Sequence, residues 1–277
     1  MDLHTITALR RPHSADEVRD WSAGDAWLGG GTWLFSEPQP ATETLIDLGG
    51  LGWPSLESSE DGLTIGATCR VAELAGFVQP AVPGGSWRAL PLFHACCNSF
   101  LASFKIWNAA TVGGNVCMSL PAGPMISLTA ALEGVCTLWP RDGAPRTFPV
   151  TEFVTGNHSN VLRPGELLRS IHLPAATLRR RTAFRHASLT KLGRSAALLI
   201  GTLDVTGPFV LTITAATDRP VQLRFVTMPD RATLHAALAS IPEARWFGDV
   251  HGSAAYKRHV ATHFAAEIRS ELEGAAQ

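Results

Sequence analysis

Short apolar runs of two kinds alternate along the first hundred or so residues. Leu45-Ile46-Asp47-Leu48 ends at Gly49-Gly50, and Leu63-Thr64-Ile65-Gly66-Ala67 alternates with period two, so both predict strands. The run from Cys69 to Ala75 has helical spacing. Trp87 to Phe104 predicts a longer helix with apolar residues on both faces, as in a helix buried between layers. Pro124 through Leu132 predicts a helix with proline in its first turn and Gly134 just past its end. Val135 to Trp139 and Leu167 to Leu173 predict strands, the second closed by Pro174.

At Pro174 to Arg181 a proline is followed by a basic run, and a domain boundary is placed there. Arg179-Arg180-Arg181 reads as a solvated linker or as a contact with a partner. Beyond it, Ala196–Val205, Phe209–Ala215 and Val221–Phe225 predict three strands. Turn signals at Gly207-Pro208 and Asp218-Arg219-Pro220 separate them, which makes an antiparallel meander. Helices over Arg231–Ser240 and Ser253–Glu273 close the chain. Ser253 is the expected N-cap of the second, which carries Tyr256, Val260, Phe264 and Ile268 at four-residue intervals for packing onto that sheet. The C-terminal third is therefore read as α+β.

Composition narrows the function classes. A chain of 277 residues that is 45% hydrophobic can bury a substantial core. Lys plus Arg number 23 against 24 Asp plus Glu, so no electrostatic footprint for nucleic acid or an anionic membrane exists. Cys69, Cys96, Cys97, Cys117 and Cys136 contain no C-x-x-C pair and predict buried free thiols of a cytoplasmic protein. The chain starts without a basic flank and apolar core, and no apolar run approaches the roughly 18 residues that span a bilayer. His94, His158 and His172 lack metal-ligand spacing.

Two glycine clusters carry the candidate chemistry. Leu28-Gly29-Gly30-Gly31-Thr32-Trp33 can turn tightly, or can bring successive N–H groups onto an anion such as a pyrophosphate. Thr111-Val112-Gly113-Gly114-Asn115 is either a hairpin turn or a second place where a polar ligand meets main chain. Neither has the G-x-G-x-x-G or Walker spacing, so a bound nucleotide needs another fold.

The two clusters, about eighty residues apart, together resemble the FAD-binding medium subunit of the molybdenum hydroxylases, the xanthine dehydrogenase and carbon monoxide dehydrogenase flavoprotein family. In that family a G-G-T loop and a T-V/I-G-G-N loop grip the FAD pyrophosphate from two sides. Pro164-Gly165-Glu166-Leu167-Leu168 is similar to the family's P-G-E strand, and Gly252-Ser253-Ala254-Ala255-Tyr256-Lys257-Arg258 to the G-S-A-x-Y-K/R-R entry to its last helix. The resemblance implies a two-part FAD-binding domain of the PCMH type over 1–175, built of two α/β subdomains. A C-terminal flavoprotein-like α+β domain would follow over 176–277.

As site residues the resemblance implies Leu28, Gly29, Gly30, Gly31, Thr32 and Trp33 with Thr111, Val112, Gly113, Gly114 and Asn115, all holding FAD and none catalytic. Trp33 stands where members often have Asp, Pro124 where they usually have a cofactor-bonding Asp, and Leu101 where some have an aromatic residue, so no side-chain role is carried over there. Cys117 falls close to the flavin position and is read as an apolar wall. The implied activity is an FAD-dependent oxidoreductase subunit, bound to a large molybdenum-cofactor subunit and a small subunit with two 2Fe-2S clusters, in a heterotrimer or its dimer. Electrons would pass from the clusters through FAD to an external acceptor. A scaffold subunit without FAD and a stand-alone flavin oxidase are the alternatives.

Overall fold

The computed structural model describes residues 3–80, 85–190 and 193–274. The first sheet is parallel: β1 (Ala8–Arg10) and β2 (Asp25–Leu28) flank β3 (Thr44–Asp47), with Leu45 and Ile46 buried at its centre. The second is antiparallel. β4 (Leu56–Ser59), β5 (Gly62–Gly66), β6 (Val135–Trp139) and β7 (Arg146–Pro149) assemble around a later strand, β10 (Leu167–Pro174), in the order β4-β5-β10-β6-β7.

Five helices fill the interval between β5 and β6: α1 (Val71–Ala75), α2 (Pro91–Asn98), α3 (Phe104–Trp107), α4 (Val112–Met118) and α5 (Pro124–Ala131). They cover the second sheet and build the larger core from Leu63, Leu74, Phe93, Val116, Leu128 and Ile171. A short helix, α6 (Val150–Phe153), leads to the hairpin β8 (Val154–Gly156) and β9 (Ser159–Asn160). After β10 one turn of helix, α7 (Ala175–Leu178), enters the third sheet.

That sheet is an antiparallel meander of β11 (Arg181–Ser188), β12 (Ser195–Leu203), β13 (Phe209–Thr214) and β14 (Val221–Phe225). Helices α8 (Arg231–Ala239) and α9 (Ala254–Gly274) pack on it around a second core. The architecture is mixed α and β with antiparallel sheets, as the sequence predicts.

Four local expectations are corrected. The helix read over Trp87–Phe104 breaks after Asn98, where the Ser99 hydroxyl donates to the Ala95 carbonyl and the chain runs on without helix before α3. Thr111 to Asn115 is not a hairpin: Thr111 caps α4, its Oγ1 accepting the Gly114 N–H at 3.1 Å. The fully buried line of α9 is Lys257, Ala261, Ala265, Ile268 and Leu272; of the predicted line Ile268 is buried, Val260 and Phe264 pack at the edge of the core, and Tyr256 is exposed. Small residues set this register, because a Cβ on Gly201 of β12 would lie 2.3 Å from Ile268. Ser253 caps the helix as predicted, accepting the Tyr256 N–H. The basic run is not a solvated linker: Arg180 pairs with Glu133 and Asp204, and Arg181 donates to the Leu272 carbonyl.

Glu133 joins the helical layer to the third sheet through Arg180 and Arg224. Burial raises its carboxyl, but the two guanidiniums outweigh burial and the net shift is downward. A lowered folded-state value means the stabilisation is complete above the unfolded carboxylate range and is lost as pH falls through the folded value. Glu133→Gln is expected to cost about 1–3 kcal/mol at pH 7 in urea unfolding. The gap from the parent should begin to narrow as pH falls below about 4 and close only beneath the lowered folded value.

Candidate functional site

The first glycine cluster follows directly on β2. Gly31 takes a φ of 71°, and from it one helical turn runs on, with the Phe35 N–H on the Gly31 carbonyl and the Ser36 N–H on that of Trp33. Starting a turn leaves its first amides without acceptors. Among the described residues none accepts from the N–H groups of Gly30, Gly31, Thr32, Trp33 or Leu34. Five consecutive unpaired donors at a glycine turn form an anion-binding concavity.

The second cluster is pinned from behind. Val71 N–H donates to the Ala110 carbonyl, Val112 N–H to that of Cys69, and Gly113 N–H to that of Ala67. Gly113 has no room for a side chain, since a Cβ would come within 2.6 Å of Ala67. Asn115 Oδ1 accepts the Met125 N–H at 3.1 Å and so ties α4 to the start of α5.

The two clusters then meet. A Cβ on Gly30 would lie 1.8 Å from the Ala109 carbonyl oxygen, and one on Gly29 would lie 3.0 Å from Thr111 Oγ1. Between them opens a cavity of about 670 Å³, within the roughly 300–1,000 Å³ of small-molecule sites. Gly29, Gly30, Gly31, Thr32, Trp33, Thr111, Gly114 and Asn115 line it. Leu28, Val112 and Gly113 do not: Leu28 ends β2, Val112 is fully buried, and Gly113 backs onto Ala67.

Beyond the glycine clusters the resemblance points to Leu101, Cys117 and Pro124, all of which line the cavity, and sequence reasoning missed the rest of the wall. Phe100, Leu101, Ala102 and Ile106 form an apolar shelf where the predicted helix breaks, and residues 120 and 122–124 close the base. Arg194 and His251 reach in from the C-terminal third, with no local sequence signal to announce them. Cys117 lines the cavity as a half-buried thiol that burial pushes up to about 12, in keeping with an apolar wall. The other four cysteines are buried and free. His94 pairs with Asn98, His172 with Thr64, and the His158 ring packs 5.8 Å from Trp33. No cluster of three or more potential metal ligands occurs among the described residues, and none of their helices is long and apolar enough to cross a membrane.

Residues 9–176 match the family described as the FAD binding domain in molybdopterin dehydrogenase, over more than half of the chain. The chain belongs to this family. Its cofactor is accordingly FAD, and the family is one of oxidoreductases. Xanthine dehydrogenase of Oryza sativa subsp. japonica is 29% identical over 122 residues, and aldehyde oxidase 2 of Cavia porcellus is 30% identical over 124. Each match covers 43% of this chain and 9% of the relative, so the chain matches only a small part of those proteins. Quinoline 2-oxidoreductase from Pseudomonas putida 86 shares the fold with a TM-score of 0.78, at 20% identity over 98% of both chains. Carbon monoxide dehydrogenase from Oligotropha carboxidovorans does so at 0.80, at 20% identity over 96% of this chain and 97% of that one.

The cavity of this FAD-binding domain suits a diphosphate: a row of unpaired amides, glycines where a Cβ would block main-chain approach, and no carboxylate in the described wall. Gly30→Ala must drive the two glycine clusters apart. It is expected to weaken FAD binding by more than about 100-fold, two decades being the roughly 3 kcal/mol of an overpacked site. Fluorescence titration of the unloaded variant, with circular dichroism to check its fold, measures this.

Proposed function

We propose that this chain is the flavin-carrying electron-transfer subunit of a molybdenum-containing hydroxylase or dehydrogenase. The observation that carries the reading is the meeting of two glycine clusters at one cavity, with five consecutive amides unpaired at its wall. Gly30 to Leu34 would hold the diphosphate through main-chain N–H groups, with Gly29 leaving room for its approach. Thr111, Gly114 and Asn115 would face it from the other side, while Leu28, Val112 and Gly113 shape the loops. No side chain need act as acid or base. The flavin supplies the redox chemistry, and the protein supplies position, a water-poor apolar shelf and electrostatics.

In this reading residues 1–175 form the FAD-binding domain and 176–277 a second domain that leans on it. Electrons arrive from 2Fe-2S clusters of a small partner subunit, themselves supplied by a large molybdenum-cofactor subunit, and leave from FAD to an external acceptor. The complex is a cytoplasmic heterotrimer or its dimer. The solved carbon monoxide dehydrogenases that share the fold, one of them described as a Cu,Mo enzyme, support the partner assignment by analogy of architecture.

Purified chain is expected to take up FAD and show flavin absorbance at about 450 nm. At a hundredfold excess over Kd, FAD should add about 2.7 kcal/mol and raise Tm by about 5–10 °C in a thermal melt. A colourless chain whose Tm ignores FAD would leave the scaffold reading. A lone chain that turns over a small molecule without iron or molybdenum would establish the oxidase instead.

A further inference from the structure

Two side chains of the cavity wall come from far along the chain. Arg194 precedes β12, and His251 sits just ahead of α9. Apart from the Cys117 thiol, which burial keeps protonated, they are the only ionisable side chains in the described wall. FAD brings a doubly negative diphosphate into that space. Among the described residues neither Arg194 nor the His251 ring has a protein partner, so both are free to meet a ligand.

His251 is not placed there by a loose loop. Asp249 and Gly252 exchange main-chain hydrogen bonds at 3.0 and 3.1 Å, which closes a tight hairpin around residues 250 and 251. Asp249 Oδ1 accepts the His251 N–H at 2.8 Å, and the same oxygen pairs with Lys257 Nζ at 2.9 Å. Lys257 is fully buried; it also donates to the Ala215 carbonyl, and its ammonium lies 5.2 Å from the centre of the Phe247 ring. Ala215 in turn donates its N–H to the carbonyl of Pro121, beside the residues that close the cavity base. One buried ammonium therefore locks the hairpin, the end of β13 and the cavity wall together. A methionine would fill the same volume without desolvating a charge, so the ion's contribution lies in fixing geometry.

We propose that His251 and Arg194 are cofactor-binding residues of the FAD cavity, and that the Lys257–Asp249 pair is a positioning device that acts through His251. The inference rests on the FAD reading above. It assigns part of the cofactor site to residues outside the matched 9–176 segment.

The test titrates FAD into the full chain stripped of flavin, following fluorescence and the spectrum of the bound flavin. His251→Ala and Arg194→Ala are each expected to weaken binding about tenfold, the loss of one hydrogen bond to a charged group. Asp249→Asn should weaken it by a similar factor, and Lys257→Arg should retain it. Because the pair acts through His251, adding Asp249→Asn to His251→Ala should produce no further loss. Asp249 is partly exposed, so its variant stays informative if Lys257→Arg, at a fully buried position, fails to fold. Parent-like affinity in His251→Ala or Arg194→Ala, or losses that multiply in the double variant, would overturn the inference while leaving FAD binding in place. A parent chain that takes up no FAD would overturn both.

Discussion

The site depends on one close approach, the main chain at Gly30 lying against the Ala109 carbonyl with no space for a Cβ between them. Each side of that contact is held by a different layer. Parallel pairing of β2 with β3 delivers the first glycine cluster, and main-chain bonds from residues 67–71 fix the second. Because both backbones are immobilised from behind, the unpaired amides between them are preorganised and need not be ordered by the ligand.

What the sequence made legible follows from the same constraint. Glycine is selected where a side chain cannot fit or where φ is positive, and Gly30, Gly31 and Gly113 meet those conditions. Their location could be read without knowing what they touch. β12 and β13 were also readable, because burial on both faces leaves nearly continuous apolar runs, and β10 was readable from its leucines and isoleucine bounded by Pro174. The short strands β1 and β2 were not, since three or four half-exposed residues carry no period. β11 was hidden by its arginines, which turn to α9 instead of solvent: Arg185 pairs with Glu267 and Glu271, and Arg181 donates to the Leu272 carbonyl.

Other misreadings arose where a side chain overrode local pattern. Thr111 turned an apparent glycine turn into a helix start by capping it, and Ser99 ended a helix whose apolar pattern continued. The register of α9 was set by Gly201 beneath Ile268 and by a lysine whose charge is satisfied only in tertiary structure. Arg194 and His251 show the general limit: a residue that joins a site through long-range packing leaves no mark on its neighbours in sequence.

Trp33 and Pro124 stand where the resembling family often carries acids, and the structure gives each a packing role. The Trp33 ring rests against His158 on the β8–β9 hairpin while facing the cavity. Pro124 opens α5, and the next unpaired amide, that of Met125, is taken by Asn115 Oδ1. Asn115 thus spends its acceptor on the fold and keeps its amide nitrogen, a donor, for the cavity. The row of free amides, one arginine and the absence of a carboxylate from the described lining make the polar side of the wall complementary to an anion, the apolar shelf forms the rest, and part of the wall belongs to the C-terminal third. Ligand binding energy is therefore shared across the junction. In the proposed site, with Arg194 and His251 meeting the cofactor, linkage requires that filling the cavity favour the packing of the third sheet against the helical layer, and that loosening this packing weaken binding.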